Sequence, residues 1–445
     1  MPRNNYSMLV TLLAALMTSF NPPTPSTVTI SQQDGRATLL VGGEPFEVKG
    51  AGMGYRTEAG IAALASAGGN AFRTWDTTSL HQQLEAAQEH GVMVLAGLDV
   101  GKQLQGFDYN DAHAVEIQHE QLLQVVRKHR NHPNVLGWIL GNELNLMVDG
   151  NGQLIPVNPK VYHAMGRLAK AIKALDPDHP ITTTFAFTPT LADDMSTAVS
   201  NVPDLDFVSL QAYGALPIIP DVVNDLALEL PYMITEYGPL GHWEMPATAW
   251  GREIEEPSGI KAKGMRARMD GSIVNDPTGQ LIGSFAFLWG HKQERTPTWY
   301  GLFLESGERT ASVDELTHVW TGEWPANRAP LALSITMNGR YAAENVAINT
   351  STASVAKATI SDPENDKLSV RWELLEEVDV RSHGGHFEKT PHAASLLKPV
   401  ASSSGDTYQL AFNAPDAPGE YRLFIYASDG NGGGATANFP FIVVD

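Results

Sequence analysis

The chain has 445 residues, 43% of them hydrophobic, no cysteine, and a formal net charge of −20. Its length calls for two or more domains, and its apolar content is too high for a disordered chain. The charge argues against nucleic acid or an anionic membrane surface as partner, and the absence of cysteine excludes disulfides, thiolate catalysis and cysteine-ligated zinc.

The N-terminus opens with Arg3, an apolar run from Met8 to Met17, and then Pro22, Pro23 and Pro25. Residues 1–27 read as a signal peptide and linker, which implies export to the periplasm, the cell surface or the medium. The run is too short to span a bilayer comfortably. No small-x-small cleavage pattern follows it, so an uncleaved signal anchor is the alternative.

From residue 28 to 325, apolar strand-like runs alternate with amphipathic helical ones. The expected strands are Phe46–Tyr55, Asn70–Asp76, Val92–Asp99, Asn134–Glu143, Ile181–Phe187, Leu205–Gly214, Pro231–Gly238 and Gly283–Gly290. Helices are expected near Glu58–Ala67, Ser79–His90, Ala112–His129, Pro159–Leu175 and Ser312–Thr321. Continuous apolar strands indicate a parallel sheet buried on both faces. Eight such units in this length match a (β/α)₈ TIM barrel, with a doubly wound sheet as the alternative. Residues 326–331 form a proline-containing linker. Beyond it, from 332 to 445, the period becomes two, as in Leu368, Val370, Trp372 and Leu374. That pattern predicts an all-β sandwich of immunoglobulin or cadherin type.

Active-site groups of such barrels stand at the C-terminal ends of the strands. Those positions hold Arg73, Asp76, Asp99, Asn142, Glu143, Gln211, Tyr213, Glu236, Tyr237 and Trp289. Two of them, Glu143 and Glu236, are carboxylates closing strongly apolar strands on opposite sides of the ring, the arrangement that two-carboxylate glycoside hydrolysis requires. A lone glutamate after an apolar strand is commonly just solvated. The pair, in this order and at these strands, is what points to chemistry.

"WILGNE", then "ITEYG" about 90 residues later, with "NAFRTWD" upstream, resembles the retaining glycoside hydrolases of clan GH-A. Within the clan the chain is similar to the barrel of glycoside hydrolase family two and to the β-1,3-glucanosyltransferases. It departs from the first in lacking β-domains ahead of the barrel and from the second in lacking cysteine. The resemblance implies that Glu143 is the general acid/base and Glu236 the nucleophile. It implies that Arg73 favours the ionised form of Glu236, that Tyr213 hydrogen-bonds it, that Asn142 grips the sugar 2-hydroxyl and that Trp289 stacks on the sugar. A retaining enzyme would hold its two carboxyl groups about 5–5.5 Å apart.

Asp76 joins these as a candidate binding residue. So do the loops after strands seven and eight, with His242 and Trp243 in one and His291, Gln293, Glu294, Trp299 and Tyr300 in the other. Aromatic rings mixed with polar groups suit sugars, whose faces are apolar and edges polar. The same rings would equally pack the loops together. His129 and His132 read as a helix end, and "SHGGH" (Ser382–His386) as a solvated loop. Asp362, Asp366 and Asp429 could bind calcium, although turn chemistry accounts for them equally well. The barrel chemistry needs no metal and no organic cofactor.

The expectation is therefore an exported, retaining β-glycosidase acting on an oligo- or polysaccharide. A β-glucan with β-1,3 linkage is the first choice, and β-mannosides and β-galactosides follow. Transglycosylation shares the same intermediate. A non-catalytic carbohydrate-binding protein and a structural adhesion module are the readings from other classes.

Overall fold

A computed structural model describes residues 25–54, 60–150, 152–227, 229–382, 385, 387–395 and 400–445. The expected export signal, Tyr55 and most of "SHGGH" lie outside these residues. No helix among the described residues is long and apolar enough to cross a membrane.

Eight parallel strands close into a barrel. In chain order they follow an N-terminal trio, β1 (Val28–Gln33), β2 (Arg36–Val41) and β3 (Glu44–Pro45). The barrel strands are β4 (Val48–Gly52), β5 (Ala71–Arg73), β6 (Met93–Leu98), β7 (Val135–Leu140), the interrupted pair β8 (Ile181–Thr182) and β9 (Thr184–Ala186), β10 (Val208–Gln211), β11 (Tyr232–Tyr237) and β12 (Leu281–Ala286). Their order, β8-β7-β6-β5-β4-β12-β11-β10-β9, is a ring because β8 and β9 are two halves of the fifth strand, broken at Thr183. The break is tied back into the wall, since Thr183 Oγ1 donates to the Leu140 carbonyl at 2.8 Å.

Among the described residues eight helices form the outer layer: α1 (Gly60–Ser66), α2 (Leu80–His90), α3 (Ala112–His129), α4 (Lys160–Leu175), α5 (Leu191–Asn201), α6 (Ile219–Leu226), α7 (Ser258–Met269) and α8 (Ala311–Thr321). The sequence reading placed five of these, and α5, α6 and α7 are additions. The longest, α3, shows why such a segment becomes a helix. Asp111 caps it by accepting from His113 N and Ala114 N, its last turn carries Arg127, Lys128 and His129, and its apolar stripe of Val115, Leu122 and Val126 faces the barrel. His129 is buried there, and burial lowers its pKa to about 4.

Residues 28–45 add no barrel strand. They form an antiparallel sheet, β1-β2-β3, across the N-terminal mouth. Val28 and Leu39 join Met93, Leu136, Phe207 and Phe285 of the barrel interior in one apolar cluster. The bottom is thereby sealed.

The sandwich follows almost at once. Its strands are β13 (Leu331–Met337), β14 (Ala347–Asn349), β15 (Ala353–Ser361), β16 (Ser369–Glu376), β17 (Ala393–Ser395), β18 (Val400–Ser404), β19 (Thr407–Asn413), β20 (Gly419–Ser428) and β21 (Gly434–Val444). They pair as β13-β15-β19-β18 and β14-β21-β20-β16-β17. Alternate residues such as Trp372, Leu374, Leu423, Ile425 and Phe439 fill the space between the sheets. Among the described residues, Asp362, Asp366 and Asp429 lie within ligand distance of one another. Turn bonds engage Asp362, which accepts from Glu364 N and Asp366 N, and Asp429, which accepts from Asn431 N and Gly433 N, while side-chain amides reach Asp429 (Asn327 Nδ2) and Asp366 (Asn431 Nδ2).

The two domains are joined by buried polar contacts. Glu255 of the barrel accepts from Lys261 Nζ, Thr296 Oγ1, Thr298 Oγ1 and Asn438 Nδ2 of β21. Ser258 at the start of α7 accepts from Thr436 N. Burial makes such groups costly unless all are satisfied, and four donors satisfy this carboxylate.

Candidate active site

A cavity of about 1230 Å³ opens at the C-terminal mouth and holds Glu143 and Glu236 together with Trp75, Asp76, Asp99, Lys102, Asn142, Gln211 and Tyr213. Its volume exceeds the roughly 300–1,000 Å³ usual for small-molecule sites.

Glu236 is buried in β11, and three donors reach it. Arg73 Nη1 lies 3.2 Å from Oε1, Trp75 Nε1 2.7 Å from Oε1, and Tyr213 OH 2.9 Å from Oε2. Arg73 itself has no exposure. Desolvation lowers its pKa, while Glu236 and then Glu143 push it back up. Burial and the adjacent Glu236 raise the pKa of the Tyr213 phenol, so the tyrosine remains a donor.

Glu143 stands differently. It lines the cavity with partial access to solvent, yet protein surrounds it. Desolvation is the largest influence and raises its pKa to about 7; Lys102 opposes the rise, Glu236 adds to it and Arg73 opposes it. Its backbone is left-handed, with φ 51°, a conformation costing a non-glycine residue roughly 1–2 kcal/mol. One bond that holds it there is Glu143 N donating to Thr184 Oγ1 at 2.9 Å, just past the break in the fifth strand. Strain of this kind gathers at functional sites.

Asn142 lies between the Arg73 that grips Glu236 and the Thr184 that holds the Glu143 backbone. Its Oδ1 accepts from Arg73 Nη2 at 2.9 Å, Gln211 Nε2 at 2.6 Å and Thr184 Oγ1 at 3.3 Å. An arginine can only donate, so the amide orientation is fixed and its NH₂ end is the one left for a substrate hydroxyl.

The other residues expected at the site divide. Asp76, His242, Trp243 and Gln293 line the cavity. His242 Nδ1 lies 2.9 Å from Tyr300 OH, and Trp243 is exposed. Asp99 also lines it, and its pKa is raised by desolvation first and Asp76 second. Trp289 does not fit its expected stacking role. It is fully buried, its backbone N–H donates to the Gly52 carbonyl of β4, and its ring packs outward on Phe303 and on Trp320 of α8. Trp299 is also buried rather than a cavity wall, with Nε1 on the Leu240 carbonyl, where it supports the loop of His242.

A second indole, that of Trp75, lines the cavity deeper than Trp243 and touches Glu236. It packs on Gly52, where an added Cβ would come 2.4 Å from its ring. The Arg73 guanidinium lies 4.8 Å from the ring centroid. Trp75, Thr184 and Lys102 are site residues that the sequence reading did not single out. Trp75 was within reach, because it lies in the quoted "NAFRTWD".

Residues 47–247 match the family profile described as "Glycosyl hydrolases family 2, TIM barrel domain". That span carries Arg73, Asn142, Glu143, Tyr213 and Glu236. No curated protein sequence matches the chain. Among solved structures, Bacteroides uniformis β-glucuronidase 2 bound to cyclophellitol-6-carboxylate aziridine is 14% identical, with 94% of this chain and 48% of that one covered and a TM-score of 0.49. A Ruminococcus gnavus β-glucuronidase in complex with a C6-substituted uronic isofagomine is 16% identical, with 66% and 52% covered and a TM-score of 0.49. A glucosidase from Croceicoccus marinus is 13% identical, with 88% and 96% covered and a TM-score of 0.43. The chain spans about half the length of the two β-glucuronidases.

Proposed function

We propose that this protein is a retaining β-glycoside hydrolase whose substrate is a β-glucan, β-1,3-linked in the first instance. The observation that carries the reading is the unequal pair of carboxyl groups in one cavity. Glu236 is gripped by Arg73, Trp75 and Tyr213, and Glu143 has a pKa raised to about 7. One is equipped to be a charged nucleophile and the other to carry a proton at neutral pH.

In the first step a Glu236 oxygen attacks the anomeric carbon, the bond to the leaving oxygen breaks, and Glu143 gives that oxygen its proton. In the second step water attacks the same carbon, Glu143 takes up the water proton, and the glycosyl ester to Glu236 breaks. Oε1 already accepts from Arg73 and Trp75, whereas among the described residues Oε2 accepts only from Tyr213. A carboxylate oxygen has two lone-pair sites, which leaves Oε2 as the attacking atom. The Asn142 amide would donate to the sugar 2-hydroxyl.

A sugar hydroxyl can replace water in the second step, giving transglycosylation, and the size of the cavity favours that variant. The basic residue and apolar run near the N-terminus support action outside the cytoplasm. Intact-mass measurement of the protein from an exporting host would test that part.

The test of the function is product analysis on β-1,3-, β-1,4- and β-1,6-glucan oligosaccharides, wild type beside Glu236→Ala, with proton NMR of the first product formed. Product from the wild type alone, first seen as the β-anomer, supports the proposal, and chain lengths separate hydrolysis from transfer. A first-formed α-anomer would overturn the retaining mechanism. Turnover confined to mannan or galactoside panels would overturn the substrate. Binding without turnover by either protein would favour a carbohydrate-binding role.

A further inference from the structure

We propose that the C-terminal sandwich supplies an outer sugar subsite of the cleft, with Phe387 as its apolar platform. The inference rests on the glycosidase reading above and extends it to a linear β-linked oligosaccharide of several sugars.

Phe387 lies between β16 and β17, outside the barrel, yet together with Gly385, Glu388 and Thr390 it lines the catalytic cavity. The residue is 76% exposed. A solvated phenylalanine on a slack loop would carry little meaning, but described residues on both sides of Phe387 are bonded to the barrel. The neighbouring Glu388 is buried and accepts from Arg295 N at 2.6 Å, Ser382 N at 2.9 Å, Gln293 Nε2 at 3.1 Å and Arg295 Nη1 at 3.2 Å. Upstream, Arg381 Nη2 donates to the Gly251 carbonyl and Arg252 Nη1 to the Val378 carbonyl. The barrel loops thus hold the segment at both ends while leaving the ring uncovered. An exposed apolar ring so held at a cavity rim is open to a ligand lying in the cleft.

A polar partner stands beside it. Gln293, also in the cavity wall, donates its amide to Glu388 and leaves Oε1 with no hydrogen-bond partner among the described residues. An aromatic face next to an unfilled acceptor matches a pyranose, whose C–H face stacks and whose hydroxyls donate at the edge. Position suits an outer ring of the substrate. Gln293 follows β12, the eighth barrel strand, which stands across the ring from β7 and Glu143. The opposite rim carries the exposed Leu154 and Phe187. A chain lying across the cavity would run from one rim to the other.

The experiment compares wild type, Phe387→Ala and Phe387→Trp on an oligosaccharide ladder of the sugar identified by the product panel. The readout is the ratio of kcat/KM on the longest member to that on an aryl glycoside of one sugar. Phe387→Ala should lower the ratio about three- to tenfold, the scale of one aromatic contact, and Phe387→Trp should keep or raise it. An unchanged ratio, or equal losses on long and short substrates, overturns the subsite. If the wild type acts, Glu236→Ala does not, and the ratio still does not move, the subsite alone fails. If the wild type and Glu236→Ala are equally inert on every glycoside, the catalytic reading fails and takes this one with it.

Discussion

The two mouths of the barrel are built from the same strands and have opposite chemistry. At the N-terminal mouth, Val28 and Leu39 of the added sheet close over Met93, Leu136 and Phe285, and the cluster is apolar and buried. At the C-terminal mouth the strands end in Arg73, Glu143, Gln211 and Glu236 around an open cavity. One end resembles the interior of any stable domain. The other tolerates a left-handed glutamate, a fully buried arginine and carboxylates sharing one cavity. The contrast implies a division of labour, with stability carried by the bottom and reactivity by the top. Mutations at the two ends should therefore separate folding from turnover.

The largest effect expected is on turnover. Glu236→Gln should lower kcat by on the order of 10⁴-fold or more, as loss of a nucleophile does, while the thermal midpoint stays close to wild type, because the amide fills the same space and its oxygen still accepts from Arg73 and Trp75. A large fall in that midpoint would break the division. Glu143→Gln should lower kcat/KM by roughly 10²–10⁴-fold. It should also remove the alkaline limb of the wild-type profile, in which kcat/KM falls above a pH of about 7 as the acid loses its proton.

At the other end, Phe285 is fully buried and packs over Gly50. Phe285→Ala should cost about 3–5 kcal/mol of stability in denaturant titrations, with kcat per folded molecule little changed. A selective loss of kcat would mean that the barrel interior tunes the site directly. Tyr213→Phe removes one bond to a charged oxygen and should lower kcat about ten- to a hundredfold.

The smallest effect crosses the two properties. The folded-state pKa of Glu143, about 7, lies above its ordinary 4.5, so the folded protein holds a proton that the unfolded chain releases. That contribution to stability is present at low pH and is lost as pH rises from about 4.5 through 7. Glu143→Gln should accordingly gain thermal midpoint over wild type at pH 8 relative to the same comparison at pH 5. Equal differences at both pH values would indicate that the carboxyl is not desolvated in the folded state.

The sequence displayed the frame of this site well. An apolar run that stops at Asn142–Glu143, and another that stops at Glu236–Tyr237, are local signals, and the barrel turns strand ends into one mouth. Side-chain direction past a strand end is not local. Trp289 and Trp75 both follow barrel strands, but Trp289 prolongs the wall by bonding Gly52 and turns its ring toward α8, whereas Trp75 lies on Gly52 and faces Glu236. Nothing in the residue type tells these apart. The N-terminal sheet escaped for a related reason: its residues alternate like many short strands, and only the barrel interior it meets gives them a place. The arrival of Phe387 at the cavity depends on a contact between residues about ninety positions apart.

The buried Glu255 makes the two domains difficult to recombine. Glu255 and Thr436 face each other's domain through Asn438 and Ser258, and Arg295 is tied to Glu388. A chimera that exchanged this sandwich for another would leave a desolvated carboxylate short of a donor and a guanidinium with one of its two anions, Glu253, and without the other, even if every strand paired correctly. In lineages that retain this barrel, the two domains should consequently be inherited as one unit, with 255, 295, 388 and 438 changing together or not at all.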